Sequence, residues 1–207
     1  MLARLPRGRL GVNELVPDDL IVGGMKPNDN HAYALVVIDL QRDLCLDPRR
    51  AELVKPAVVV INNLIDSWTA RSLPVFYTRF ELQHDDPQFE RFGDRYCIKG
   101  TPGAEFIDDI LPLRGQVIAK RKHSAFFETD LEKQIRDAGC DGVVLTGLQT
   151  QICILTTAAD AYNRGLSVIA VSDGVISTRD EVRLEALDWI QKYVGDVAPS
   201  HELAMTA

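Results

Sequence analysis

The sequence is short of the features that mark several large classes of protein. No apolar run approaches the ~20 residues that cross a bilayer. The opening stretch, MLARLPRGRLGVNELVPDDL, carries basic charge without the ~7–15-residue apolar core of a signal peptide. Cysteine is scarce, at positions 45, 97, 140 and 153 with no CxxC pair, which argues against a disulfide framework or a zinc set. A reduced, cytoplasmic chain is the expectation. The four histidines, at 31, 84, 123 and 201, form neither HxH nor HExxH, so no metal is expected. Positive charge is in deficit, 23 Lys and Arg against 30 Asp and Glu, for a formal charge of −7. That is the wrong sign for a nucleic-acid binder, which shows a basic patch. Internal repeats, low-complexity tracts and an inter-domain linker are also missing.

What is there describes a globular enzyme-sized domain. The 207 residues are 46% hydrophobic and 26% charged, enough to bury a sizeable core. Apolar runs rich in β-formers stand at 34–39, 74–80, 116–120, 142–148 and 166–173. The first, fourth and fifth are apolar almost throughout, as strands covered on both faces of a parallel sheet are. Amphipathic helices lie between them. One is expected over 56–72, starting at Pro56, with Val60, Leu64, Ile65 and Trp68 on its stripe. A short one over 130–138 stops at Gly139. Those over 150–164 and 180–194 place Ile152, Leu155, Ala159 and Tyr162, and Val182, Ala186, Ile190 and Tyr193, on their apolar faces. This order predicts an α/β fold: a single-domain, doubly wound, Rossmann-like sandwich around a mostly parallel sheet of five or six strands. The interval 81–115 reads as loop with one short helix near 103–111, and loops this long are usually functional. Residues 1–30 read as an N-terminal arm, with the single α/β domain over 31–207.

In open α/β sheets ligands bind beyond the carboxyl ends of the strands. Asp39 closes the first strand, Lys120 closes the third, and Cys153 follows the fourth in the first turns of a helix. Each has a bland explanation: a turn former, a surface charge, a packed thiol. Together they form a chemical unit. A helix N-terminus and a neighbouring cation favour a thiolate over a thiol, bringing a reference pKa of ~8.5 to ~3.5–7.5. Asp39 is placed to take the thiol proton and return it to a leaving amine. Gly147 brings the chain tightly into that helix, where backbone N–H groups can meet an oxyanion.

With these residues the chain resembles the isochorismatase-like cysteine hydrolases over nearly all of 34–195. The matching segments are VVIDLQRD (36–43), KRKHSAFFETDL (120–131), GLQTQICILTTAADAYNRG (147–165) and VIAVSDGV (168–175). The resemblance places Asp39, Lys120 and Cys153 on the family's Asp-Lys-Cys triad. It further implies a non-proline cis peptide between Leu148 and Gln149, and an oxyanion hole from the backbone N–H groups of Gln149 and Cys153. It points to dimers or tetramers, and the isolated apolar residues of the arm 1–30 and the loop 81–115 suggest that a neighbouring subunit helps to close the site. Metal-dependent nicotinamidases of this group carry a DxH element after the second strand, where this chain has Thr78, Arg79 and Phe80. Isochorismatases proper lack the cysteine. The fit is closer to the branch that hydrolyses small amide, carbamoyl and ureido compounds, such as N-carbamoylsarcosine, biuret and ureidoacrylate, without a cofactor.

Other residues carry smaller expectations. Arg79 is a candidate clamp for a substrate carboxylate, against a surface ion pair. Leu44, Phe80 and Phe126 are candidate apolar walls. Cys45, six residues past Asp39, is read as packing or pocket lining. His123 and Ser124 do not make a Ser-His pair, because neighbours on a strand point to opposite faces. Two rival functions share this fold: a metal-assisted nicotinamidase and a catalytically silent scaffold or binding protein.

Overall fold

The computed structural model describes residues 31–92, 95–110 and 112–204; the arm expected over 1–30 lies outside them. Six strands, β1 (Tyr33–Ile38), β2 (Val75–Phe80), β3 (Gln116–Lys120), β4 (Gly142–Leu148), β5 (Ser167–Ile176) and β6 (Asp196–Ala198), make one sheet. Their order is β3-β2-β1-β4-β5-β6, and every pairing is parallel. The chain therefore steps outward from β1 to β3, then crosses back to build β4 to β6 on the other side. The reversal leaves a crevice beyond the carboxyl ends of β1 and β4, where such sheets bind ligands.

Strand β1 shows why the sheet is buried on both faces. Leu35 and Val37 point into one core and Ala34, Val36 and Ile38 into the other. The first core is covered by α2 (Ala51–Ala70) through Ile61, Leu64, Ile65 and Trp68. The second is covered by α4 (Leu131–Asp137), α5 (Leu155–Asn163) and α6 (Asp180–Tyr193), through Ile135, Ala158, Ala161, Leu187 and Ile190. Each large apolar side chain sealed in this way contributes about 1.5–3 kcal/mol. Two short helices, α1 (Arg42–Cys45) and α3 (Gln88–Phe92), sit in the connections, and α7 (Ser200–Ala204) closes the described chain. Among the described residues no helix is long and apolar enough to cross a membrane.

Several element boundaries differ from the sequence reading. Helix α2 begins at Ala51, and Pro56 stands inside it. The buried stripe extends backwards through Val54, Ala57 and Val58, and that burial offsets the hydrogen bond Pro56 cannot make. The stretch expected as one helix over 150–164 opens with a π-helical turn at Thr150–Ile154 before α5 starts. A π turn holds an extra residue, so the buried face shifts to Cys153, Ile154, Thr157, Ala158 and Ala161, and Tyr162 is turned out to solvent. On α6, Leu187 takes the place expected for Val182, and Tyr193 is exposed. Instead of a helix near 103–111 there are two 3-10 turns, Pro102–Ala104 and Asp108–Ile110.

Candidate active site

Asp39 is the first residue past β1, held with a φ of 54°, in the left-handed region that Asp tolerates better than most side chains. Its N–H donates to the backbone oxygen of Thr78 and to its Oγ1, both at 3.2 Å. The Thr78 hydroxyl in turn donates to Asp39 Oδ1 at 2.6 Å. Lys120, the last residue of β3, reaches across β2 to place Nζ 2.7 Å from Asp39 Oδ2, and neither side chain has any solvent exposure. The same ammonium donates to the carbonyls of Lys122 at 3.2 Å and His123 at 3.1 Å, and lies 4.8 Å from the Phe80 ring centre. Buried charges persist when paired and hydrogen-bonded in this way. Gln41, fully buried, ties the ends of β1 and β2 together. It donates to the carbonyls of Phe80 and Ala104 and accepts from Phe80 N–H.

Cys153 arrives from the neighbouring strand. At Gly147 the backbone has a φ of 108°, and a Cβ there would sit 2.1 Å from the carbonyl oxygen of Ile38, so only glycine lets β4 pass β1 this closely. The Leu148–Gln149 peptide that follows is cis. Gln149 then precedes the π-helical turn that carries Cys153, at a helix start where the first N–H groups lack intrahelical partners. The thiol interacts with both Asp39 and Lys120. Asp39, Lys120 and Cys153 thus come together at the crevice between β1 and β4.

The electrostatics depart from expectation at one point. Burial pushes the Cys153 thiol up to about 12, with Lys120 pulling the other way. The resting sulfur is therefore a thiol, where the sequence reading expected a thiolate. Desolvation outweighs one cation and one helix start in a site this enclosed. Burial also pulls on Lys120, but the Asp39 carboxylate beside it holds its pKa above the ordinary value, so it stays an ammonium.

Above these groups lies a cavity of about 570 Å³, lined by Asp39, Leu44, Phe80, His123, Gln149 and Cys153 among others. That volume suits a small organic molecule. Of the candidate walls and clamp, Leu44 and Phe80 line this cavity, and Arg79 and Phe126 do not. Arg79 alternates with Thr78 and Phe80 along β2, so it faces away from them. It pairs with Glu81 at 2.7 Å and Glu105 at 3.8 Å. Phe126 is packed in the second core with Arg164 over its ring. The guanidinium groups at the cavity are Arg49, Arg50 and Arg95. Arg50 is buried and donates to the carbonyl of Leu44 and to Asp47, which Arg49 also holds. Cys45 belongs to the first core. Ser124 donates to Asp160 at 2.6 Å, away from the sulfur, whereas His123 Nδ1 approaches Cys153 Sγ to 3.8 Å.

Gln41 was not singled out by sequence reasoning, Thr78 was noted only where a DxH element is missing, and His123 only as half of a dismissed Ser-His pair. Thr78 could have been found from strand alternation, since it shares a strand face with Phe80. A DxH metal element does not fit here, because Thr78 is committed to Asp39 and Arg79 to Glu81. Among the described residues no group of three or more His, Cys, Asp and Glu side chains could hold a metal ion.

Comparison with known proteins follows this geometry. A family model, the isochorismatase domain, matches residues 33–202. Nicotinamidase 3 of Arabidopsis thaliana is 29% identical over 167 residues, covering 75% of this chain and 78% of the relative. The solved N-carbamoylsarcosine amidase of Thermoplasma acidophilum is 32% identical with a TM-score of 0.72, over 81% of this chain and 95% of that one. The pyrazinamidase of Pyrococcus horikoshii, solved in complex with zinc, is 28% identical with a TM-score of 0.71, over 81% and 99%. Fold and family match agree, and the chain belongs to the isochorismatase-like cysteine hydrolases.

Proposed function

We propose that this protein is a cysteine amidohydrolase that cleaves the C–N bond of a small amide, carbamoyl or ureido compound. The observation that carries the reading is the meeting of Asp39, Lys120 and Cys153 beneath one small-molecule cavity. The names of the amidase relatives support the same bond type. In the reaction, Cys153 Sγ attacks the substrate carbonyl as its proton passes to Asp39. Lys120 balances the single negative charge as it passes from the Asp39 carboxylate to sulfur. The developing oxyanion accepts hydrogen bonds from the N–H groups of Gln149 and Cys153. The C–N bond breaks, the leaving nitrogen takes the proton from Asp39, and ammonia or an amine departs from a thioester. Water then gives a proton to Asp39 and its oxygen to the acyl carbon. The thiol regains its proton and the acid leaves.

Burial favours the protonated thiol at rest, so in this reading Asp39 must take its proton before or during attack. The test is an ammonia- or amine-release screen over ureido, carbamoyl and simple amide compounds. Wild type should turn over at least one class, and Cys153→Ala and Asp39→Asn should lose it by several orders of magnitude. Equal turnover by Cys153→Ala would refute the mechanism. We also propose a homo-oligomer, which the exposed cluster of Tyr162, Trp189 and Tyr193 on α5 and α6 supports. Light scattering should then return at least twice 23.0 kDa.

A further inference from the structure

Beyond the three residues that meet at the sheet edge, one more titratable side chain faces the sulfur. His123 follows Lys120 by three positions, and its Nδ1 is 3.8 Å from Cys153 Sγ, within reach of a sulfur hydrogen bond. Two contacts fix the ring. Its own backbone carbonyl accepts from Lys120 Nζ at 3.1 Å, which ties the turn to the buried ion pair. The imidazole also lies nearly parallel to Phe80, 9° between planes and 6.1 Å between centres. The ring lines the same cavity as Gln149 and Cys153.

We propose that His123 is a fourth working member of the site, a neutral imidazole whose Nδ1 hydrogen-bonds the Cys153 thiol, holds the sulfur toward the cavity and couples its reactivity to pH. The proposal rests on the reading of Cys153 as the nucleophile. His123 acts here as a positioning residue, while Asp39 remains the group that moves protons in turnover.

The charged neighbours give the imidazole its state. Lys120 at the end of β3 and Lys122 in the same turn oppose a proton on the ring, and Asp39 beyond β1 favours one. Burial, with Lys120 second, holds the imidazole below its usual range, so it is neutral near pH 7. A neutral ring can accept from the thiol on Nδ1 while Nε2 carries the hydrogen. Once protonated, both ring nitrogens are donors. The S–H bond then has no acceptor there, and an imidazolium beside sulfur favours the thiolate. Moving the thiol proton onto the ring changes the charges and leaves the proton count of the pair unchanged. The small population of thiolate–imidazolium pair is therefore independent of pH for as long as sulfur and ring hold one proton between them. Thiolate beside a neutral ring, by contrast, falls tenfold for each unit of pH lost.

This difference is measurable without any substrate. Alkylation of Cys153 by iodoacetamide, followed by mass spectrometry from about pH 5 to about pH 10, reports the reactive thiolate. In wild type the logarithm of the rate should climb with unit slope on the alkaline side and level off toward acid. In His123→Asn the amide takes the place of Nδ1 but does not titrate, and in His123→Leu the partner is gone. In an Asp39→Asn background, where the carboxylate can no longer take the thiol proton at unchanged proton count, both should follow the unit slope into acid, while the protein with His123 intact still levels off. Their rates at the alkaline end, where the wild-type ring is neutral too, show whether the pocket has kept its shape. In amide turnover His123→Asn should keep more than about a third of wild-type kcat, and His123→Leu should lose tenfold or more as the sulfur loses its alignment. A wild-type profile without acid levelling, or levelling that persists in His123→Asn once Asp39 is also Asn, overturns the proposal. If wild type hydrolyses no amide yet the levelling depends on His123, the amidase reading fails and the Cys–His coupling stands.

Discussion

Replacing Lys120 with methionine tests the buried pair at the centre of the site. The ammonium and the Asp39 carboxylate are 2.7 Å apart with no solvent exposure on either side chain. Methionine keeps the volume and removes the charge. Asp39 keeps the Thr78 hydroxyl on Oδ1 but loses its partner on Oδ2. Leaving one buried charge unpaired in this way costs about 3–5 kcal/mol. The carbonyls of Lys122 and His123 lose their donor as well, which pushes the cost toward the upper end. In a domain of this size each kcal/mol lowers the melting temperature by about 2–4 °C, so Lys120→Met should melt roughly 6–20 °C below wild type. Adding Asp39→Asn removes the stranded charge and suits the left-handed backbone at that position. The double variant should recover at least about half of the loss, because a buried ion pair replaced as a unit is often close to neutral in stability. Calorimetry or denaturant titration reads all three proteins. A Lys120→Met protein that melts within about 2 °C of wild type would refute the reasoning, since no buried carboxylate could then have been left alone.

Thr78→Val keeps the shape of β2 and deletes the donor to Asp39, so it should cost about 1.5–3 kcal/mol and lower kcat, while Thr78→Ser restores both; a silent Thr78→Val would remove Thr78 from the site. Gly147→Ala forces a Cβ against the Ile38 carbonyl at a φ of 108°, and should cost roughly 2–6 kcal/mol in denaturant titration and disturb the turn that delivers Cys153. Burial favours the protonated thiol, so the Cys153 alkylation rate should go on rising with pH on the alkaline side toward about 12. A plateau reached near neutral pH would mean a preformed thiolate. Exhaustive chelation should leave amide turnover unchanged, and activity lost to a chelator and restored by zinc or iron would overturn the metal-free mechanism.

Much of this architecture could be read from period and punctuation, and the misreadings share a cause. Strands β1 and β4 are continuous apolar runs because both faces of a central parallel strand are covered, a one-dimensional signal with little competition. Asp39, Lys120 and Cys153 could be named because strand ends are recognisable and the sheet's reversal brings them together. Strand β6 spans Asp196–Ala198, too short for any period to register. The face of α5 was misjudged because the π-helical turn before it resets the helical count, and an i→i+5 bond leaves no mark in composition. Arg79 and Thr78 show the same limit within a strand. Alternation says that they point to opposite faces, but which face meets the cavity depends on β3 and Lys120 on the neighbouring strand. The ionisation of Cys153 was farthest from reach. A cation and a helix start are visible as residues in a row. The burial that outweighs them is a property of everything packed around the sulfur, and it exists only once the chain has folded.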